Sequence, residues 1–134
     1  MKGIELTWAG GEHEFLLTID LLRALQLKCD AGPQHILERL TTRRWMIDDV
    51  LEPIRLGLEG GGLRKEEART LVRRFVEDRP LTESVLTAQA VLMGALFGAE
   101  GDLPGEAEAG KERPIRTRSQ EESGGSPASI AGPA

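Results

Sequence analysis

His13, His35 and Cys29 are the only soft metal-ligand candidates in the 134 residues. They have no CxxC or HxxxH partner, and a zinc site needs about four ligands. Cys29 with either histidine would supply part of a thiol nucleophile. That chemistry also needs a paired base and an oxyanion hole, and a lone cysteine near a helix end reads instead as a small buried hydrophobe. Carboxylate pairs occur at Asp48-Asp49 and Glu66-Glu67. Both fall at expected helix starts, where acids complement the dipole rather than perform acid–base work. Gly60-Gly61-Gly62 invites a phosphate-loop reading, but such a loop wants Gly-x-x-x-x-Gly-Lys-Ser/Thr after a strand. Here the glycines follow a helix and Leu63-Arg64-Lys65 comes next. Arg39, Arg43 and Arg44 form a small basic cluster before Trp45, suited to phosphate contacts or to a solvated helix end. The sequence thus predicts no catalytic, metal or cofactor-binding residues and no cofactor.

Composition narrows the function classes further. Lys+Arg is 17 against 22 Asp+Glu, a net charge of −5, so no basic footprint for nucleic acid is expected. A single cysteine forbids an intramolecular disulfide and fits a reducing cytoplasm. The N-terminal Met1-Lys2-Gly3-Ile4-Glu5 has no apolar segment of the signal-peptide kind. The longest charge-free stretch, Ser84 to Ala99, is too short to span a bilayer.

The elements that must position these residues are read from periodicity. Ile4 to Leu17 alternates as a β-hairpin, with Gly10-Gly11 as a two-residue turn of positive φ. That turn pairs Trp8 with His13, Leu6 with Phe15 and Ile4 with Leu17, all on one apolar face. Thr18 is placed as an N-cap, with Ile19, Leu22 and Leu25 as the inner stripe of a helix ending near Cys29. Pro33 opens a short second helix that buries Ile36, Leu37 and Leu40. A third helix is expected from Ile47 to Glu59, with Ile47, Val50, Leu51, Ile54 and Leu58 on one face and Pro53 as a local distortion. Gly60 to Gly62 stop it and form a flexible joint. A fourth helix, Arg64 to Asp78, buries Ala68, Leu71, Val72, Phe75 and Val76. A fifth runs from Thr82 to Phe97.

That fifth helix carries two apolar stripes. One is Val85, Ala88, Leu92 and Ala95; the other is Leu86, Ala90, Met93 and Phe97. A helix apolar nearly all round is buried on several sides, so the second stripe is the candidate partner-binding face, for a client or for self-association. The fold class expected is α+β and mostly helical: an N-terminal hairpin packed on about five short helices, in one domain over residues 1–99. Residues 100–134 hold Gly, Pro, Ser and Glu and are expected to be a disordered acidic tail.

The order of these segments resembles a known family. Hairpin, short helices, Gly57-Leu58-Glu59-Gly60-Gly61-Gly62, then Glu67-Ala68-Arg69-Thr70-Leu71-Val72, Arg79-Pro80-Leu81 and an Ala- and Leu-rich last helix ending at Gly98 is similar to the small tail proteins of gene transfer agents and tailed phages, the tail assembly chaperones. The resemblance spans about residues 3 to 98, with Gly57, Leu58, Gly60, Gly61 and Gly62 as its marker. It implies a non-enzymatic protein in the bacterial host cytoplasm that binds the tape measure protein, and tail-tube subunits as well, during tail assembly. In this class a longer product often arises by frameshifting. The alternatives are a structural minor tail subunit retained in the particle and a small DNA-binding regulator using the arginine cluster.

Overall fold

A computed structural model describes residues 2–98 of the protein; the tail expected from residue 100 onward lies outside the described residues. Two strands, β1 (Ile4–Trp8) and β2 (Gly11–Phe15), precede five helices: α1 (Ile19–Cys29), α2 (Pro33–Thr41), α3 (Ile47–Gly60), α4 (Lys65–Val72) and α5 (Val85–Phe97). A π turn, Arg73–Glu77, continues α4, and a 3-10 turn, Leu81–Ser84, leads into α5. The architecture is α+β and mostly helical, as its periodicity predicts.

The hairpin keeps its expected faces but not its expected pairs. Ile4 stands opposite Phe15, Leu6 opposite His13 and Trp8 opposite Gly11, a register two residues away from the one predicted. The turn is Ala9-Gly10, and the positive φ belongs to Gly11 alone, at 112°. Such closure matches a turn followed by a glycine bulge rather than a primed two-residue turn. A shift of two preserves the side-chain alternation, so Trp8 and Phe15 remain buried together with Leu17, which follows the strand. The Trp8 indole meets Phe15 edge-on, with centroids 5.9 Å apart, and donates from Nε1 to His13 Nδ1 at 2.9 Å.

Helix starts follow local chemistry. The Thr18 hydroxyl accepts from the Leu21 N–H at 3.2 Å, and Asp30 closes α1 in the left-handed conformation. Pro33 occupies the first turn of α2, where its missing N–H has no helical partner to lose. Asp49 reaches back to the Met46 N–H at 2.7 Å, and Glu67 to the Arg64 N–H at 3.2 Å. These are the acid halves of capping boxes.

α3 is the central element, packed on α1, α4, α5 and β2. Val50, Ile54 and Leu58, spaced by four, are wholly buried, and the helix continues through Pro53. Two expected core residues lie outside. Ile19 is 55% exposed and Ile47 59%. The Ile19, Leu22, Leu25 spacing of three drifts about 60° per step around a 3.6-residue helix, so Ile19 leaves the face that Leu25 occupies. Ile47 stays open in the first turn of α3. Leu71 and Phe75 are half-buried, while Ala68, Val72 and Val76 reach the core. In the π turn, Phe75 meets Trp8 edge-on at 6.3 Å, and the Arg74 guanidinium lies 5.3 Å from the Phe75 centroid.

Candidate protein-interaction surface

The glycine run is a packing seat rather than a flexible joint. Gly57, Gly60 and Gly61 lie three and four residues apart, on one face of the end of α3. The exit of β2 crosses that face. A Cβ at Gly60 would stand 1.8 Å from the Leu16 carbonyl oxygen, and one at Gly61 would stand 1.9 Å from that of Glu14. At Gly57 it would meet Phe15 and Val91 at 3.0 Å. The Leu16 N–H donates to the Gly57 carbonyl at 3.0 Å, tying strand exit to helix. Only Gly62 of this run has positive φ, 121°, with open space around it. Leu58 points away into the core, fully buried. Three glycines therefore permit close approach of two backbones, and one makes the turn.

Charged side chains reinforce α3. Asp49 is wholly buried and accepts from Arg39 Nη1 at 3.2 and 3.3 Å; the same nitrogen donates to the Cys29 carbonyl at 3.3 Å. The predicted arginine cluster is thereby dismantled. Arg39 turns inward to join α2 to α3, while Arg43, with φ 63°, and Arg44 stay on the surface. The Asp48-Asp49 pair separates in the same way, Asp48 exposed and Asp49 inside. Along α3, Arg55 bridges Glu52 at 2.5 Å and Glu59 at 2.8 Å, with all three side chains largely buried. The hydrogen bond to Glu52 raises the Arg55 pKa, against a burial effect in the other direction.

α5 keeps the two unlike sides that its sequence predicts. Ala88 and Leu92 are fully buried, with Val85 and Ala95 half-buried beside them. On the second stripe Leu86 is 75% exposed and Phe97 40%, with Ala90 and Met93 half-buried between them. At the Leu86 end the stripe opens into a groove of about 600 Å³ lined by Leu40, Arg43, Trp45, Val85, Leu86 and Gln89. The surface here is apolar with a cationic rim, and suits a protein segment. Sequence reasoning missed its α2 half; the signal was Trp45, a large aromatic just after a helix end.

A family model described as "Phage tail tube protein, GTA-gp10" matches residues 2–98. The chain belongs to that family. No curated protein and no solved structure gives a significant match. The GTA-gp10 match runs from the start of the hairpin to the end of α5, so both the glycine seat and the open stripe lie inside it.

The residues with chemical potential have other work in this GTA-gp10 family member. Burial first, then the Asp49 carboxylate, push the Cys29 thiol up to about 12, and its Sγ donates to the Asp48 carbonyl at 3.4 Å. A thiol held protonated is a poor nucleophile. His13 accepts from Trp8, and the exposed His35 stands 3.8 Å from Glu38. Among the described residues no three His, Cys, Asp or Glu side chains converge as metal ligands, and no helix is long and apolar enough to cross a membrane.

Proposed function

We propose that this chain is a non-enzymatic assembly chaperone of a phage-like tail, acting in the cytoplasm of the bacterial host. It holds the helical tape measure protein until tube subunits polymerise. The single observation that carries this reading is the second apolar face of α5, whose two ends, Leu86 at the Trp45 groove and Phe97, are exposed. Exposed apolar side chains grouped on a small protein mark a contact site, and the half-buried Met93 between them is a flexible side chain that suits exchange of partners. Tail-tube subunits and further copies of the chain are secondary partners of the same face.

A second reading has its own support, because the family's description is of a tail tube protein. On that reading the chain is a structural subunit and α5 packs against neighbours in the particle. Two measurements separate the readings. The chaperone co-purifies with co-expressed tape measure protein and is missing from finished particles analysed by mass spectrometry. Stoichiometric recovery of the chain in purified tails would overturn the chaperone reading and leave the structural one.

A further inference from the structure

The two edges of the hairpin are treated differently by the fold. On the β2 side, the Glu14 and Leu16 carbonyls face the end of α3, and the Leu16 N–H bonds to Gly57. The Phe15 carbonyl faces the opposite way, toward the position of Gly3. The main-chain groups of an antiparallel ladder alternate between its two sides. Glu5 pairs with Glu14 and Thr7 with Glu12, so Glu5 and Thr7 point their N–H and C=O groups away from β2. Among the described residues no hydrogen bond reaches these four groups. An open edge is a template for another strand.

The end of α5 extends past that edge. Val91, Gly94 and Phe97 form one row along the helix at a spacing of three. Val91 and Phe15 of β2 converge on Gly57, where a Cβ would stand 3.0 Å from each, and a Cβ on Gly94 would stand 3.0 Å from Ile4 of β1. Three helical residues rise about 4.5 Å, close to the roughly 4.8 Å between neighbouring strands. One step of the row thus crosses from beneath β2 to beneath β1. The next step carries Phe97 beneath the vacant position outside β1. Phe97 is 40% exposed there, and Ile4 and Leu6 on the inner face of β1 are only half-buried. Main-chain groups and an apolar floor are both in place for one more strand.

The β1 strand itself fits that position, and we propose that a second copy of the chain supplies it. The two β1 strands lie antiparallel about a two-fold axis at Leu6, which faces Leu6. Glu5 of each copy exchanges N–H and C=O bonds with Thr7 of the other, four bonds in all. Ile4 stands opposite Trp8 of the second copy, with Phe97 beneath the pair. On the solvent face the Glu5 carboxylate meets the Thr7 hydroxyl of the second copy. The neighbouring registers that use the same edge groups are poorer. One sets Glu5 against Glu5, and like charges directly opposite repel. The other sets Glu5 against Ala9, which lies in the turn beyond β1, and keeps only the bonds between the two Thr7 residues. The favoured register makes a closed four-stranded sheet, with β2 and its α3 cover at each end. Five residues a side make a small interface, so the dimer is weak and concentration-dependent. The Trp45 groove at the other end of α5 takes no part, so the inference holds whichever partner that groove receives.

Analytical ultracentrifugation and NMR on the full-length chain test this. The native chain is expected to dimerise as its concentration rises toward millimolar, and the Glu5 and Thr7 amides to exchange more slowly as it does. In a mixture of isotope-labelled and unlabelled chains, a filtered NOE is expected between the Leu6 α-protons of the two copies, as in a non-hydrogen-bonded antiparallel pair. Thr7→Pro removes an outward N–H and spares the hairpin's own bonds. It should weaken the dimer about tenfold or more, since two bonds between the copies are lost. Thr7→Glu sets like charges opposite Glu5 and should weaken it several-fold; it decides the question if proline unfolds the hairpin. A chain that stays monomeric at millimolar concentration would overturn the proposal. So would a dimer that lacks the Leu6 NOE, or one whose affinity is unchanged in the folded Thr7 variants, because its contact would then lie elsewhere.

Discussion

Replacing Gly60 by alanine separates a seat from a joint by the sign of the effect. A flexible glycine exchanged for alanine stabilises by about 0.4–1 kcal/mol, because the unfolded chain loses freedom. At Gly60 the new Cβ would stand 1.8 Å from the Leu16 carbonyl oxygen and 2.8 Å from Leu21 Cδ1. Real Cβ contacts stay above 3.0 Å, so strand and helix must part by at least about 1.2 Å in a close-packed region. The Leu16 to Gly57 hydrogen bond, now 3.0 Å, does not survive that movement. Overpacking costs about 1–3 kcal/mol and the lost bond about 0.5–1.5 kcal/mol. Alanine recovers about 1 kcal/mol of helix propensity at the end of α3. The net is a loss of about 2 kcal/mol, or about 8–16 °C in melting temperature for a domain of this size. Urea melts followed by circular dichroism and by the fluorescence of Trp8, which packs on Phe15, measure it. A Gly60→Ala protein as stable as the native one, or more so, would refute the close-approach reading.

The remaining predictions concern the core and the open face. Asp49→Ala should cost about 3 kcal/mol in urea unfolding, the lower end for breaking a buried pair, because Arg39 is left without its carboxylate. Cys29 should resist alkylation at pH 8 in the folded protein and react fully once urea unfolds it. Its folded pKa is raised from 9.0 to about 12, so the stabilisation from the protonated thiol is complete below pH 9.0 and is lost as pH rises toward 12. Alkaline melts of the native protein and a Cys29→Ala variant should therefore converge across that window. Leu86→Asp changes a side chain that is 75% exposed and should move stability by no more than about 0.5 kcal/mol. It should weaken capture of the tape measure protein about tenfold in a pull-down titration; unchanged capture would remove Leu86 from the binding face.

What the sequence made legible was local and periodic. Thr18 as a cap, Pro33 at a helix start and the alternation of the hairpin each depend on a few neighbouring residues, and each is present in the fold. Hairpin register was misread because two placements of the Ala9-Gly10-Gly11 turn give the same faces, and only the glycine dihedrals distinguish them. The joint was misread for a deeper reason. Glycine in a sequence signals freedom or closeness with equal force, and closeness appears only when a distant backbone, here Leu16, arrives. Arg39 is similar: its neighbours Arg43 and Arg44 mark a basic surface, while its actual partner Asp49 lies ten residues away on another helix. At the open face, α5 announced its two stripes by composition, but the groove needed Leu40 and Trp45 brought alongside by the fold.

The glycine seat also sets an order of events during synthesis. The hairpin is complete at Phe15, yet the surfaces it rests on belong to residues 57–61 and to Val91 and Gly94, made roughly 40 to 80 residues later. At ribosomal speeds of about 5–20 residues per second, the strands wait roughly 2 to 16 s with Trp8 and Phe15 in water. An isolated hairpin is marginal over such an interval. The hairpin is thus made well before the surfaces that secure it.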